Sequence, residues 1–196
     1  MAKIYMIMGK SATGKDTIYG RLIKRKDLRL KKIIPYTTRP MREGEENGVA
    51  YHFSTDQELE ELCRKGKVVE KRTYQTVYGP WHYFTVDDDQ IDLAGERDYL
   101  VIGTLEAFHQ IRDYYGISRV VPIYIEVEDG ARLTRALGRE KKQKEPMFEE
   151  MCRRFLADQK DFSEENLRNA GVKKRFVNQT LKQTVDTIAD YIKKGR

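Results

Sequence analysis

A chain of 196 residues, 39% hydrophobic and 35% charged, can bury a core of one domain and is too apolar to be mainly disordered. Its net charge of +6 invites a nucleic-acid partner, but acids interrupt the cations, as in Glu140-Lys-Lys-Gln-Lys-Glu145, so a solvated face with a site for small anions is the better reading. No apolar run nears the roughly eighteen residues that cross a bilayer. Cys63 and Cys152 lack the neighbours of a zinc site, and His52, His82 and His109 show no ligand spacing. The expectation is a soluble cytoplasmic protein with free thiols, no membrane contact and no nucleic-acid partner.

In chain order, Ile4–Met8 reads as a buried first strand. It runs straight into Gly9-Lys10-Ser11 without a cleavage-site pattern, so a signal peptide is not expected. Helix is expected over Thr17–Lys26, strand over Lys32–Pro35, and helix over Asp56–Lys65, where Thr55 and Glu58 form a capping box. Strands follow at Val68–Tyr74 and Tyr99–Ile102, then helix at Leu105–Tyr115 and strand at Val120–Val127. Helices at Asp129–Leu137 and Pro146–Phe162, a strand at Arg175–Val177 and a helix at Leu181–Lys194 complete the chain. This alternation predicts an α/β fold on a mainly parallel sheet.

Two stretches break the alternation. Residues 36–85 are rich in Tyr, Thr, Gly and Arg and read as a mixed β insertion. Residues 138–145 are short and charged, cannot pack into a core, and read as a mobile segment. The organisation expected is one domain, with a core of residues 1–35 and 86–196 carrying the insertion and this mobile segment.

The strongest local signal is an apolar strand, then Gly9-Lys10-Ser11-Ala12-Thr13-Gly14-Lys15-Asp16-Thr17, then a helix. Glycines let the backbone wrap closely around phosphate with N–H groups turned inward, and the helix adds the positive end of its dipole. Lys15 would bridge the β and γ phosphates of ATP. The pattern asks for Ser or Thr after the lysine to hold Mg²⁺; Asp16 stands there, followed by Thr17, and either could ligate the metal.

The segment Tyr36-Thr37-Thr38-Arg39-Pro40-Met41-Arg42-Glu43-Gly44-Glu45-Glu46-Asn47-Gly48-Val49-Ala50-Tyr51-His52-Phe53 closely resembles the acceptor-binding region of guanylate kinases, and the resemblance extends from Gly9 to the last helix. It implies a P-loop NTPase three-layer fold with a parallel five-stranded core sheet, a mixed β acceptor-binding insertion and a short lid. It implies transfer of the ATP γ-phosphoryl group to GMP, giving GDP and ADP. Carried over residue by residue, Arg39 and Arg42 would grip the acceptor phosphate, with Tyr51 and Tyr78 adding hydroxyl contacts. Glu70 would read the guanine edge, and Asn178 would lie near the donor base. Arg132, Arg135, Arg139, Arg153 and Arg154 match arginines that close over the triphosphate. A homodimer is compatible with this reading.

Three departures fall on the base-reading residues. Pro35 and Pro80 replace small hydroxyl residues, and Ile102-Gly103-Thr104 replaces an Asp-Ile-Asp element, placing a neutral Thr104 where an aspartate would bind guanine. Several such losses weaken base selectivity. Asp16 and Gly103-Thr104 lean towards a second resemblance, to ribose 1,5-bisphosphate phosphokinases; Arg42, Tyr51-His52-Phe53 and Glu70 lean back. A third reading is a non-catalytic guanylate-kinase-like interaction domain, but such domains have usually lost the loop and lysine that this chain keeps.

Overall fold

The computed structural model describes residues 2–76 and 78–195. In chain order the elements are β1 (Ile4–Met8), α1 (Lys15–Ile23), β2 (Lys31–Lys32), β3 (Tyr36–Thr37), β4 (His52–Phe53), α2 (Asp56–Arg64), β5 (Val68–Thr76) and β6 (Gly79–Val86). They continue with β7 (Tyr99–Ile102), α3 (Leu105–Tyr115), β8 (Val120–Glu126), α4 (Asp129–Glu140), α5 (Phe148–Asp161), α6 (Glu164–Asn169), β9 (Arg175–Val177) and α7 (Leu181–Lys194). Among the described residues, no helix is long and apolar enough to cross a membrane.

Five strands form a parallel sheet in the order β2-β7-β1-β8-β9. The alternation predicts the parallel sheet and the resemblance its five strands, while the order is not readable from the sequence. β1 is central and buried throughout, and its side chains alternate between two cores. Ile4, Met6 and Met8 face the cluster that holds Phe108 and Ile111 of α3 and Leu167 of α6. Tyr5 and Ile7 face the cluster that holds Ile18 and Leu22 of α1 and Ile188 and Ile192 of α7. Helices on both faces of the sheet complete three layers.

The second sheet is mixed, ordered β4-β3-β6-β5, with β3 and β4 parallel and the other pairs antiparallel. Its own core is small: Leu59 of α2 packs with Phe84 and Val86 of β6. The capping box holds α2 at its start, Glu58 N–H donating to Thr55 Oγ1 at 3.2 Å and Thr55 N–H to Glu58 Oε2 at 2.8 Å. The strand expected at Lys32–Pro35 is short, ending at Lys32, and β3, β4, β6 and α6 are additions to the individually expected elements. α4 runs on to Glu140, and residues 141–145 are exposed turn and bend.

Candidate active site

β1 delivers the chain from the centre of the sheet into the loop, and α1 begins at Lys15. Gly9 has no room for a side chain, since a Cβ there would stand 2.6 Å from the Ile125 carbonyl oxygen. Gly14 is left-handed, with φ 84°, and caps α1. The loop is tied from within and from behind. Thr13 is buried and its hydroxyl donates to the Lys10 carbonyl at 2.9 Å. Asn178 Nδ2 donates to the Thr13 carbonyl at 2.8 Å, and Asn178 Oδ1 accepts from the Thr184 hydroxyl at 3.2 Å. Asn178 is therefore a strut under the loop, with both ends of its amide engaged and its side chain buried.

The other face of the loop meets α5. Asp158 Oδ2 accepts from the Ser11 N–H at 2.7 Å. Arg132, 1% exposed, ties the two elements: Nε donates to the Ser11 carbonyl at 3.0 Å, Nη2 to Asp158 at 3.1 Å and Nη1 to Asp129 at 2.5 Å. Its guanidinium lies 4.7 Å from the Phe155 ring centroid. Lys10 adds a hydrogen bond to Gln159 of the same helix. An anion reaching the Ser11 N–H must displace the Asp158 carboxylate.

Two cavities adjoin at Lys15. One, of about 670 Å³, is walled by Lys15, Asp16 and Tyr19 of α1, Ile33 to Pro35, Val49 to Tyr51, and Arg72, Tyr74, Trp81 and Tyr83 of the mixed sheet. The other, of about 650 Å³, includes Gly9, Ser11, Lys15, Asp158 and Asp161. Lys15, Arg72, Tyr74, Gly103 and Thr104 line both, so the lysine stands where the two spaces share a wall. Burial pushes the Tyr19 hydroxyl up to about 12, which keeps it a neutral hydrogen-bonding group.

Of the expected acceptor residues, Tyr51 and Thr104 lie on the cavity wall. Burial raises the Tyr51 hydroxyl above its usual range. Thr104 also caps α3, accepting from the Ala107 N–H at 3.2 Å. Arg39 is not on the wall of either cavity. Its side chain is 4% exposed and forms a two-pronged pair with Glu45, at 2.9 and 2.8 Å, and donates to the Pro40 carbonyl at 2.7 Å. Arg42 is exposed, its N–H donating to Glu45. Glu70, 2% exposed, is held by Arg72, whose Nε and Nη2 donate at 3.0 and 3.3 Å, and by the Thr85 hydroxyl at 3.0 Å. Tyr78 is 82% exposed, its ring parallel to Trp81 at 6.2 Å.

The lid arginines are dispersed. Arg135 and Arg139 are exposed on α4. Arg153, exposed on α5, is paired to Glu150 at 2.7 and 2.8 Å, with Arg154 3.5 Å from the same carboxylate. Neither cavity is lined by any of these four. Sequence reasoning passed over Arg72 as a wall residue, and over Trp81, Tyr83 and Asp158. Arg72 was findable, two positions from Glu70 on an alternating strand; β5 and β6 pair Arg72 with Tyr83 and Tyr74 with Trp81, a register that the blurred alternation of β6 hides. Asp158 carries no such signal, being one acid among many on a polar helix.

No cluster of three or more His, Cys, Asp or Glu that could cage a metal exists among the described residues. Mg²⁺ does not need one, since it keeps several waters and takes one or two protein oxygens plus phosphates. Asp16 and Thr17, in the first turn of α1, supply hard oxygen donors and are exposed; Asp16 also lines the larger cavity.

The chain is similar to known proteins in sequence and in fold. The family model described as Guanylate kinase matches residues 1–194. A guanylate kinase of Neisseria meningitidis serogroup A is 32% identical over 122 residues, 62% of this chain and 57% of that protein. One from Mesomycoplasma hyopneumoniae strain 7448 is 41% identical over 131 residues, 64% of each chain. The matches thus span less than two thirds of these curated relatives. The crystal structure of guanylate kinase from Anaplasma phagocytophilum superposes with a TM-score of 0.67 over 98% of this chain and 85% of that one, at 17% identity, which shows a shared fold. The chain belongs to the guanylate kinase family.

Proposed function

We propose that this protein is a nucleoside monophosphate kinase that moves the γ-phosphoryl group of ATP to GMP, giving ADP and GDP. The observation that carries this reading is Lys15, which follows a glycine-bearing loop after a central strand and lines two adjoining cavities at once. A phosphotransferase needs that arrangement: one space for the donor's phosphates, one for the acceptor, and a cation where they meet.

In this reading the triphosphate lies along the loop, held by its N–H groups and by the N-terminus of α1. An oxygen of the acceptor phosphate attacks the γ phosphorus in line, and ADP leaves. Lys15 stabilises the charge that builds on the transferring oxygens. Asp16 and Thr17 would hold Mg²⁺, which supplies further charge neutralisation when bound. Tyr51, Thr104 and the aromatic wall of β5 and β6 would orient the acceptor. Arg39 and Arg42 would join the site if the acceptor phosphate draws them from Glu45. Arg135, Arg139 and Arg153 would follow if α4 and α5 swing over the donor, Tyr78 would do so by turning towards the acceptor, and Glu70 would act through Arg72, which it holds on the cavity wall. Asn178 would serve ATP by holding the loop in shape.

A specific observation favours a second acceptor. The Glu70 carboxylate is buried, engaged with Arg72 and not on the wall of either cavity, and Pro35 and Thr104 line the larger one where groups that bind guanine would stand. Ribose 1,5-bisphosphate, which has no base to be read, is the alternative. The test is ATP consumption with Mg²⁺ against GMP, dGMP, AMP, UMP, CMP and ribose 1,5-bisphosphate. GMP is expected to lead; turnover confined to ribose 1,5-bisphosphate would replace this reading with the second. Silence on every acceptor would reject both.

A further inference from the structure

Arg72 is the only arginine among the described residues on the walls of the two cavities that meet at Lys15. The residues around it explain how it is held there. β5 bulges between Val68 and Glu70, after which Glu70, Arg72 and Tyr74 fall on one face of the strand. Glu70, 2% exposed, accepts from Arg72 Nε at 3.0 Å and Nη2 at 3.3 Å, while Thr85 holds the same carboxylate at 3.0 Å.

A guanidinium has five N–H donors, and the bonds to Glu70 use two of them. A counterion alone would be adequately served by a group pointing only at the carboxylate. Arg72 instead lines both the space beside the phosphate loop and the space beside the aromatic wall, as Lys15 does. Fixing the fork through a buried carboxylate lowers the entropy lost when its remaining donors engage a ligand. The chemistry that matches a planar, permanently charged fork beside a lysine is a phosphate group, taken in bidentate fashion.

We propose that Arg72 is a phosphate ligand at the junction of the two cavities, contacting the group in transit between donor and acceptor, and that Glu70 is its positioning residue. The inference rests on the phosphotransferase reading for its role in turnover, but phosphate binding at Arg72 can be measured without turnover.

The experiment titrates inorganic pyrophosphate calorimetrically into the wild type, Arg72→Met, and the double variant Glu70→Gln with Arg72→Met. The double variant leaves no unpaired buried carboxylate, so it separates ligand loss from misfolding, which circular dichroism checks. A lost charge-assisted bond should raise Kd about 10- to 100-fold in both variants, with Arg72→Lys between them and the wild type. Where the wild type turns over, kcat should fall by a similar factor while the KM for ATP moves less than about threefold. Pyrophosphate affinity in the folded double variant within about twofold of the wild type, or no binding by the wild type, would overturn the proposal and leave Arg72 a counterion. A wild type that binds pyrophosphate through Arg72 yet phosphorylates no acceptor would reject the kinase reading and leave this one standing.

Discussion

The phosphate loop and the mixed sheet treat their polar groups in opposite ways. In the loop, side chains hold the backbone: Asn178 and Thr13 bond its carbonyls, and Lys15 is left on a cavity wall. In the mixed sheet, side chains hold one another: Arg39 with Glu45, and Arg72 with Glu70. The difference follows from the cores behind them. The loop grows from a sheet packed on both faces by helices, whereas the mixed sheet has three buried apolar residues in its own cluster. A small core supplies little stability, so ion pairs with buried members also hold the insertion together. Residues that a motif assigns to a ligand can thus be engaged in the fold.

The loop and the mixed sheet should respond differently to substitution and to acid. The largest effect is expected at Lys15, where Lys15→Ala should lower kcat by about 100- to 1,000-fold with an unchanged melting curve; near-normal turnover would remove the loop from the chemistry. Arg39→Ala should destabilise the protein by about 2 kcal/mol in urea unfolding, because it removes a buried partner of Glu45. An unchanged midpoint would show that Arg39 is free to serve a ligand. Asn178→Ala should cost about 1 kcal/mol and weaken ATP binding, by freeing the Thr13 carbonyl; full ATP affinity would show that the loop keeps its shape unaided.

Acid gives the smallest effect. The Arg39 guanidinium holds the Glu45 carboxyl down to about 2, below its usual 4.5. A depressed carboxyl contributes stability above its unfolded value and loses it as pH falls through the folded one. The contribution should therefore fade between about pH 4.5 and about pH 2. Far more protection lost around Arg39 than around β1 in amide exchange at pH 3 would agree; equal loss would contradict it.

Much of the fold was legible because burial writes itself as pattern. Ile4–Met8 is apolar at every position, as a central parallel strand requires, and Thr55 with Glu58 marks the start of α2. β6 was missed because Pro80, Trp81, His82 and Tyr83 blur the alternation, with aromatics on the cavity face and Phe84 in the core. α6 is six residues behind a Ser163 cap, too short to show a period. In the site, Lys15 could be read from local spacing. The Asp158 contact could not, because it joins Ser11 to a residue 147 positions away through tertiary packing.

A kinase is defined by where the γ-phosphoryl group of ATP ends. Wild-type protein and Lys15→Ala would be given ATP labelled in its γ phosphate, with Mg²⁺ and GMP, and the products separated. The prediction is label in GDP, matched one for one by ADP, and a yield lower by about 100-fold or more in the variant. Label released as free phosphate, or equal yields from the two proteins, would contradict it.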